Sequence, residues 1–406
     1  LVLPSEQIKK LGIAELTASI MNEGTKNYST EQISAEMDKI GSSISFNASK
    51  TNTSVRVTCL KKNLDATLKL LEEKLLNPGF REEDFKLVKK QYIESIKNEF
   101  KNASSIASKN FSLALYGSSV MGLQPTTKSV DNIELKDLKA YYDNYFSPTV
   151  TNLVIVGDVD EKEITPKIDF LNKWQAKEVK MQPIPEPVQP TEAQFYISNK
   201  TAAPSTVILM GNTSLKFDVT GDYYKNRIAN FIFGGNFNSR LNLNLREDKG
   251  YTYGINSGFN GNKYTGSFVI SSSVKRSSTA ASLFEISKEY SKYVSEGVTD
   301  KELEFIKSSM LSSEALKYEA PYQKASFLSN IVTYNLDKDF TAKQNQILKD
   351  ITKDEVNQQI KKYFVSNKLT TVIVGDKDMI EAQLEKAAKD PKYKDTTSKI
   401  KLKKLQ

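Results

Sequence analysis

Histidine is absent from this 406-residue chain, and that absence restricts its chemistry more than any other feature of composition. Without histidine there is no Ser-His-Asp triad, no Cys-His pair and no histidine-based metal site. The single cysteine, Cys59, excludes an internal disulfide, and we interpret it as a buried thiol in the strand-like run 54–60. No apolar stretch approaches the ~20 residues that span a bilayer.

The remaining composition is that of an ordinary globular protein, with 39% hydrophobic and 26% charged residues. At this length two or more domains are expected. The net charge of +8 does not indicate nucleic-acid binding, because lysines alternate with Glu and Asp and no aromatic-basic recognition motif accompanies them. The basic run 399–404 is interpreted as a solvated tail.

A proline-rich segment divides the chain. Four prolines fall within residues 176–194, which therefore can be neither a helix interior nor a central strand. We predict a first domain over 1–175, an extended linker over 176–194 and a second domain over 195–406.

The two halves repeat each other. Residues 144–158 lie over residues 362–376, with Tyr145 matching Tyr363 and Gly157 matching Gly375. In both copies a helix leads into a β-branched run that should form a buried strand. Chance similarity of one helix-strand unit is the alternative, but the linker between the copies favours duplication. With this offset of about 218 residues, the strand-like segments 194–198 and 206–212 have no first-half counterpart, so we expect the first domain to lack its opening strands.

Hydrophobic periodicity gives the remaining elements. Helices are predicted over 8–22, 31–39, 64–76, 82–115, 134–146, 223–233, 279–296, 300–316 and 351–364. Strands are predicted within 44–60, 252–258 and 266–273.

Several motifs now identify a family resemblance. The segment from Gly234 to Gly254, GGNFNSRLNLNLREDKGYTYG, resembles the second-half signature of pitrilysin-like (insulinase-type) peptidases. Segments 11–25, 77–80 and 155–158 resemble further parts of that family, so the likeness covers nearly the whole chain. It implies an α+β fold of two homologous domains, each a mainly antiparallel sheet packed against helices.

The resemblance also implies that the zinc motif is lost. The family's inverted motif H-x-x-E-H falls on Glu15, Ala18 and Ser19 here, so none of its three residues survives. Its third ligand falls near Ser95, with Glu94 beside it. One carboxylate cannot replace the three protein ligands of a catalytic zinc, and we therefore expect no metal in this chain.

A second pair of family residues is retained. Arg246 and Tyr253 match the arginine and tyrosine that, in the family, reach the substrate carbonyl and the developing oxyanion. Gly234, Gly235 and Asn236 are implied to bind substrate. The alternative is structural, with Arg246 paired to a neighbouring carboxylate and Tyr253 filling a strand.

The sequence thus favours a zinc-free subunit of a heterodimeric metallopeptidase, inactive alone. Zinc would sit on a homologous partner with H-x-x-E-H intact, and an extended peptide would pair with a sheet edge. The alternative is a catalytically inert peptide-binding or scaffold homologue. An independent serine hydrolase is disfavoured, since no G-x-S-x-G motif accompanies the lack of histidine. We expect a bacterial periplasmic or secreted protein, with a mitochondrial location as the alternative.

Overall fold

Two sheets of unequal size organise the structure, a computed structural model that describes residues 10–180, 184, 186–187, 190–314, 318–365, 368–391, 393, 400 and 402–403. The chain divides into two compact units. Unit 1 contains Leu1–Glu99, Leu123–Ile184 and Tyr318–Thr333, and unit 2 contains Phe100–Gly122, Pro185–Lys317 and Tyr334–Gln406.

Unit 1 is mainly helical. Its helices are α1 (Ile13–Asn22), α2 (Thr30–Lys39), α3 (Leu64–Leu76), α4 (Glu82–Glu99), α6 (Thr127–Asp131), α7 (Leu135–Tyr145) and α8 (Glu161–Lys167). The hairpin strands β1 (Ser43–Ala48) and β2 (Thr53–Thr58) pair antiparallel and confirm the two strands predicted there. The core forms where the apolar side of α1, including Leu16 and Ile20, meets Phe46 of β1. Lys74 is buried here because its ammonium donates to the carbonyls of Asn22 (2.6 Å) and Glu23 (3.0 Å), the last groups of α1.

The predicted strand around residue 155 does not form. Leu153 and Ile155 lie in irregular chain and are exposed, so that prediction is wrong. Its repeat copy forms a fully buried strand because it lies between two other strands. In the described part of unit 1 the sheet has only two strands, and a strand without a hydrogen-bonding neighbour has no ladder to hold it. Cys59 is half-buried at the end of the hairpin, which corrects its prediction as a buried thiol.

Unit 2 contains the larger sheet. Its strands are β3 (Gln194–Asn199), β4 (Ser205–Thr213), β5 (Thr252–Gly261), β6 (Gly266–Lys275), β7 (Thr370–Gly375) and β8 (Leu402–Lys403), in the order β5-β6-β4-β7-β3-β8. The pairs on the β5 side are antiparallel, and β3 pairs parallel with β7 and β8.

Helices cover one whole face of this sheet. They are α9 (Asp222–Asn230), α10 (Arg240–Asn242), α11 (Thr279–Glu296), α12 (Asp300–Glu314), α14 (Phe340–Asp350), α15 (Lys353–Tyr363) and α16 (Lys377–Lys389). Phe233, Phe268, Tyr290 and Phe364 form an aromatic cluster of edge-to-face and tilted contacts within this core. Mixed helix and sheet, with antiparallel-dominated sheets against helices, confirm the predicted α+β class.

One helix from each half belongs to the opposite unit. The predicted helix 82–115 is broken at Asn102, whose side chain caps α5 (Ala103–Tyr116) by accepting from Ser104 N and Ser105 N. Helix α5 packs in unit 2, whereas α13 (Pro321–Tyr334) falls almost wholly within unit 1. Both bounds of α13 lie 218 positions after those of α5, so the two are repeat equivalents. The duplication therefore includes a reciprocal exchange of helices.

A charged clamp joins α10 to α12 across unit 2. Arg240 Nε and Nη2 donate to the two carboxylate oxygens of Glu302, each at 2.7 Å, and Nη2 also donates to the Gly297 carbonyl at 2.8 Å. The guanidinium lies over the Tyr293 ring. Burial raises the pKa of Glu302, but the hydrogen bonds and charge of Arg240 together with hydrogen bonds from Thr299 outweigh it and hold the pKa below its usual value. Removing one partner of such a bidentate, mostly buried ion pair strongly lowers stability, because the other charge is left buried and unpaired.

We predict that Glu302→Gln lowers the free energy of unfolding by about 3 kcal/mol, because the buried guanidinium loses its charged partner. Urea denaturation followed by circular dichroism measures this. The matched control is Glu94→Gln, which removes an exposed pair with Lys97 (2.7 Å) and should change stability by less than about 0.5 kcal/mol. Equal effects of the two substitutions would show that the Arg240 clamp is not a stabilising interaction.

Candidate functional site

The positions of the lost zinc motif lie along α1. Ala18 is buried in the core, while Glu15 and Ser19 are partly exposed. Burial raises the pKa of the Glu15 carboxyl, and the nearby Lys50 ammonium opposes that shift. Burial also lowers the pKa of Lys50 to about 8, against the attraction of Glu15. A lysine cation therefore faces the position of the family's first ligand.

The α4 positions predicted for the third ligand make contacts within their own helix. Ser95 and Glu94 are both exposed; Ser95 Oγ donates to the Tyr92 carbonyl, and Glu94 pairs with Lys97. It is Tyr92 that lies toward α1, 3.0 Å from where a Cβ on Gly12 would be, and burial followed by the Glu15 charge raises its pKa. Among the described residues, no three Cys, Asp or Glu side chains could hold one metal ion. These residues do not fit a zinc ion.

The retained signature has unusual helix geometry. Two π-helical segments, Phe231–Gly235 and Leu243–Asp248, directly follow α9 and α10 respectively. π-helical turns are rare and recur at functional sites. Gly250, with φ of 60°, ends the second segment and lets Tyr251 N donate to the Leu245 carbonyl at 2.9 Å. This reversal carries the chain from Arg246 directly into β5 and Tyr253.

Asn242 fixes these pieces to one another. Its Oδ1 accepts from Ile255 N of β5 at 3.1 Å, and its Nδ2 lies 3.3 Å from both the Asn236 carbonyl and Ser239 Oγ. Asn244 holds the π-helical segment to α11 by donating to Glu285 (3.1 Å) and Glu289 (2.8 Å). The predicted pair therefore stands on a rigid, hydrogen-bonded frame.

Arg246 rests on an aromatic ring. Its guanidinium carbon lies 4.1 Å from the centroid of Phe237, and the ring is itself largely exposed. An ion pair with Glu247 at 3.4 Å joins Nη1, but Nη1 has no hydrogen-bond acceptor of proper geometry among the described residues. Nη1 itself is buried, and the Arg246 side chain as a whole is about one-third exposed, so the charge is held in place over the ring. Sequence reasoning missed Phe237, although it stands within the quoted signature.

Tyr253 is directed into solvent. It occupies the irregular start of β5, beside a shift of register between Thr252 and Ile255, and is 95% exposed. A tyrosine this exposed on a well-hydrogen-bonded strand contributes little to the core. Strand filling, the structural alternative for Tyr253, therefore does not explain this residue.

The three predicted substrate-binding residues occupy different environments. Gly234 is buried, and any Cβ there would collide with Ser257 of β5, so glycine is needed for close packing. Gly235 is exposed. The Asn236 side chain donates to the Phe231 carbonyl and accepts from Asn238 N, so its amide serves the loop itself.

Two family models match the chain. Residues 5–122 match the family described as Insulinase (Peptidase family M16), and residues 132–310 match Peptidase M16 inactive domain. The chain belongs to the M16 insulinase family. This M16 chain carries two M16-type domains and lacks the family's zinc ligands.

Individual relatives have low sequence identity to this chain, but they align with most of its length. The Helicobacter pylori protein "Non-peptidase homolog YmxG" is 24% identical and covers 91% of this chain and 85% of that protein. The Bacillus subtilis "Uncharacterized zinc protease YmxG" is 23% identical over 78% of this chain and 76% of its own length. In structure, the "peptidase M16 inactive domain" from Pseudomonas fluorescens has a TM-score of 0.82 and 23% identity, covering 92% of this chain and 90% of that one. The last likeness establishes the fold.

We predict that the purified chain binds less than about 0.1 zinc per molecule after dialysis, because α1 and α4 supply too few ligands. Elemental analysis measures the metal content, with a zinc-binding M16 peptidase carried through the same dialysis as control. One tightly held zinc per chain, together with chelator-sensitive peptidase activity, would contradict this reading of α1.

Proposed function

We propose that this M16 chain is the zinc-free subunit of a two-chain peptidase and contributes Arg246 and Tyr253 to the active site. The exposed Tyr253 is the observation that carries the proposal. Its hydroxyl has no hydrogen-bond partner among the described residues, and its strand is fixed by Asn242. A hydroxyl donor that faces outward from a fixed strand suits an active site completed by another chain.

Each residue has a distinct role in this proposal. Zinc on the partner, held by an intact H-x-x-E-H, would supply the activated water. Tyr253 donates its O–H to the oxyanion that forms on the scissile carbonyl, where preorganised donors are most effective. Arg246 adds a positive charge whose orientation is set by Phe237. The Arg246 guanidinium is oriented by Phe237 before substrate binds, whereas the Tyr253 side chain would be oriented by its bond to the substrate.

The second candidate function is that of a scaffold protein with no catalytic role. It is favoured by the name of the Helicobacter pylori relative, a non-peptidase homologue, and by the contacts of Arg246 with Phe237 and Glu247. Those contacts explain Arg246 structurally. They do not explain the exposure of Tyr253.

We further propose a bacterial periplasmic location, which rests on resemblance alone. In the described part of the chain, no helix is long and apolar enough to cross a membrane. Cell fractionation with an antibody to the protein would decide between compartments.

We predict that Tyr253→Phe lowers kcat of the complex with a zinc-bearing partner by about 10²–10³, because one oxyanion donor is lost while the ring remains. Turnover of a quenched fluorescent peptide measures this, and analytical ultracentrifugation checks assembly. Tyr322→Phe, at another exposed tyrosine outside the site, is the control and should leave kcat unchanged.

Arg246 variants refine the test. Arg246→Ala should lower kcat and raise KM. Arg246→Lys should restore only part of the lost activity, since an ammonium cannot reproduce the planar guanidinium. If Tyr253→Phe and Arg246→Ala both assemble and cleave at the wild-type rate, the pair is structural and the scaffold function is correct.

A further inference from the structure

Helix α5 covers only part of the second face of the unit 2 sheet. Ala107, Phe111 and Leu115 of this helix pack on apolar side chains of the central strands β4 and β7. The outer strands β5 and β6 extend beyond the helix. A cavity of about 580 Å³ therefore remains between α5 and the outer strands, entirely within unit 2.

The floor of this cavity consists of small side chains in register. On the face toward α5, cross-strand rows run from β5 through β6 into β4. The rows are Asn256–Ser271–Leu209, Gly258–Val269–Gly211 and Asn260–Ser267–Thr213. The middle row contains two glycines and a valine. We refer to this cavity and its floor as the α5 groove.

The groove has no charge of its own. None of the described residues that line it is Asp, Glu, Lys or Arg, in a chain where 26% of residues are charged. Its polar groups are hydroxyls and amides, including Ser108 and Ser112 on the α5 wall and Asn256 on the floor. Charged ligand groups would lose water there without gaining a partner, whereas backbone amides and small side chains would not.

The outer edge of β5 is closed, which leaves the face as the route for a ligand. Side chains of the helical layer take up the backbone groups that another strand would need. The bonds are Ile255 N to Asn242 Oδ1 (3.1 Å), Asn230 Nδ2 to Ser257 O (2.7 Å) and Tyr223 Oη to Phe259 O (3.0 Å). Peptide pairing along this edge would require breaking these bonds.

The groove is continuous with the signature. Gly234 and Gly235 form part of its lining and precede Phe237, the ring beneath Arg246. On the other side, Asn256 follows Tyr253 on the same strand. A ligand in the groove would therefore lie beside the segments that carry the proposed pair.

We propose that the α5 groove binds an extended, uncharged peptide segment with small side chains, as a specificity site of this subunit. The proposal rests on the proposed function for its biological meaning, but the binding itself requires only this chain. Strand residues 256–260 span about 16 Å at about 3.3 Å per residue, enough for four or five peptide residues.

The test uses the full chain without a partner and a blocked octapeptide of alternating serine and alanine, titrated by isothermal calorimetry. We expect saturable binding to one site. An octapeptide with lysine or glutamate at the four serine positions should bind at least tenfold more weakly. Because no partner or catalysis is involved, this outcome is independent of the Tyr253→Phe result.

Filling the groove should abolish binding. Gly258→Leu adds a side chain where a Cβ meets no atom within 4 Å, so the fold should tolerate it while the dissociation constant rises at least tenfold. Gly157→Leu, equally open but in unit 1, is the matched control and should bind as wild type. Ser108→Leu, an exposed position on the α5 wall, repeats the block from the other side.

Three results would overturn the proposal. These are an absence of binding by the neutral peptide, equal binding of the charged peptides, and unchanged affinity in folded Gly258→Leu and Ser108→Leu variants. Displacement of the peptide by maltohexaose with higher affinity would instead identify a carbohydrate site and would also contradict it. Thermal melts by circular dichroism confirm that each variant is folded.

Discussion

The backbone N–H and C=O groups at the outer edge of β5 need hydrogen-bond partners although no further strand pairs there, and this constraint organises the site. Asn230, Asn242 and Tyr223 meet it by bonding to the strand from the helical layer. Asn230 is the last residue of α9 and Asn242 the last residue of α10, so each side chain reaches β5 from a position just before a π-helical segment. Residue 234 has to be glycine because its backbone lies directly against Ser257 of β5. The edge, the π-helical turns and the position of Arg246 therefore depend on one another.

The residues along α1 and the frame around Arg246 and Tyr253 are held by separate sets of interactions. At α1 the positions on which the family's zinc motif falls hold a buried Ala18 and the partly exposed Glu15 and Ser19, and Glu15 interacts with the Lys50 ammonium. In unit 2 the frame around Arg246 and Tyr253 is held by Asn242, Asn244 and the Arg240 clamp, none of which involves a metal. Loss of zinc ligands would therefore leave this frame unaffected.

The exchange of α5 and α13 gives each unit a helix from the other half. In unit 2, α5 covers the central strands with Ala107, Phe111 and Leu115, whereas the described residues of α13 include none that is fully buried. The difference follows the sheets, since β4 and β7 offer α5 a broad apolar face and the described sheet of unit 1 is a single hairpin. Of the two repeat-equivalent helices, α5 buries side chains because it packs on a broad sheet.

The sequence by itself determined the family, the α+β class, most helices and strands and the absence of the histidines of the family's zinc motif, whereas the roles of Arg246 and Tyr253 stay predictions. These follow from local periodicity and from contiguous motifs, which a linear sequence displays. Tertiary structure alone decided the fate of the run near Leu153, the exchange of α5 and α13, the ring of Phe237 beneath Arg246 and the α5 groove. Each depends on residues distant in the chain: a strand needs neighbours for its hydrogen bonds, and a groove exists only where a helix stops short of a sheet edge. Contacts between residues distant in the chain are set by packing and cannot be read from the spacing of residues in the sequence.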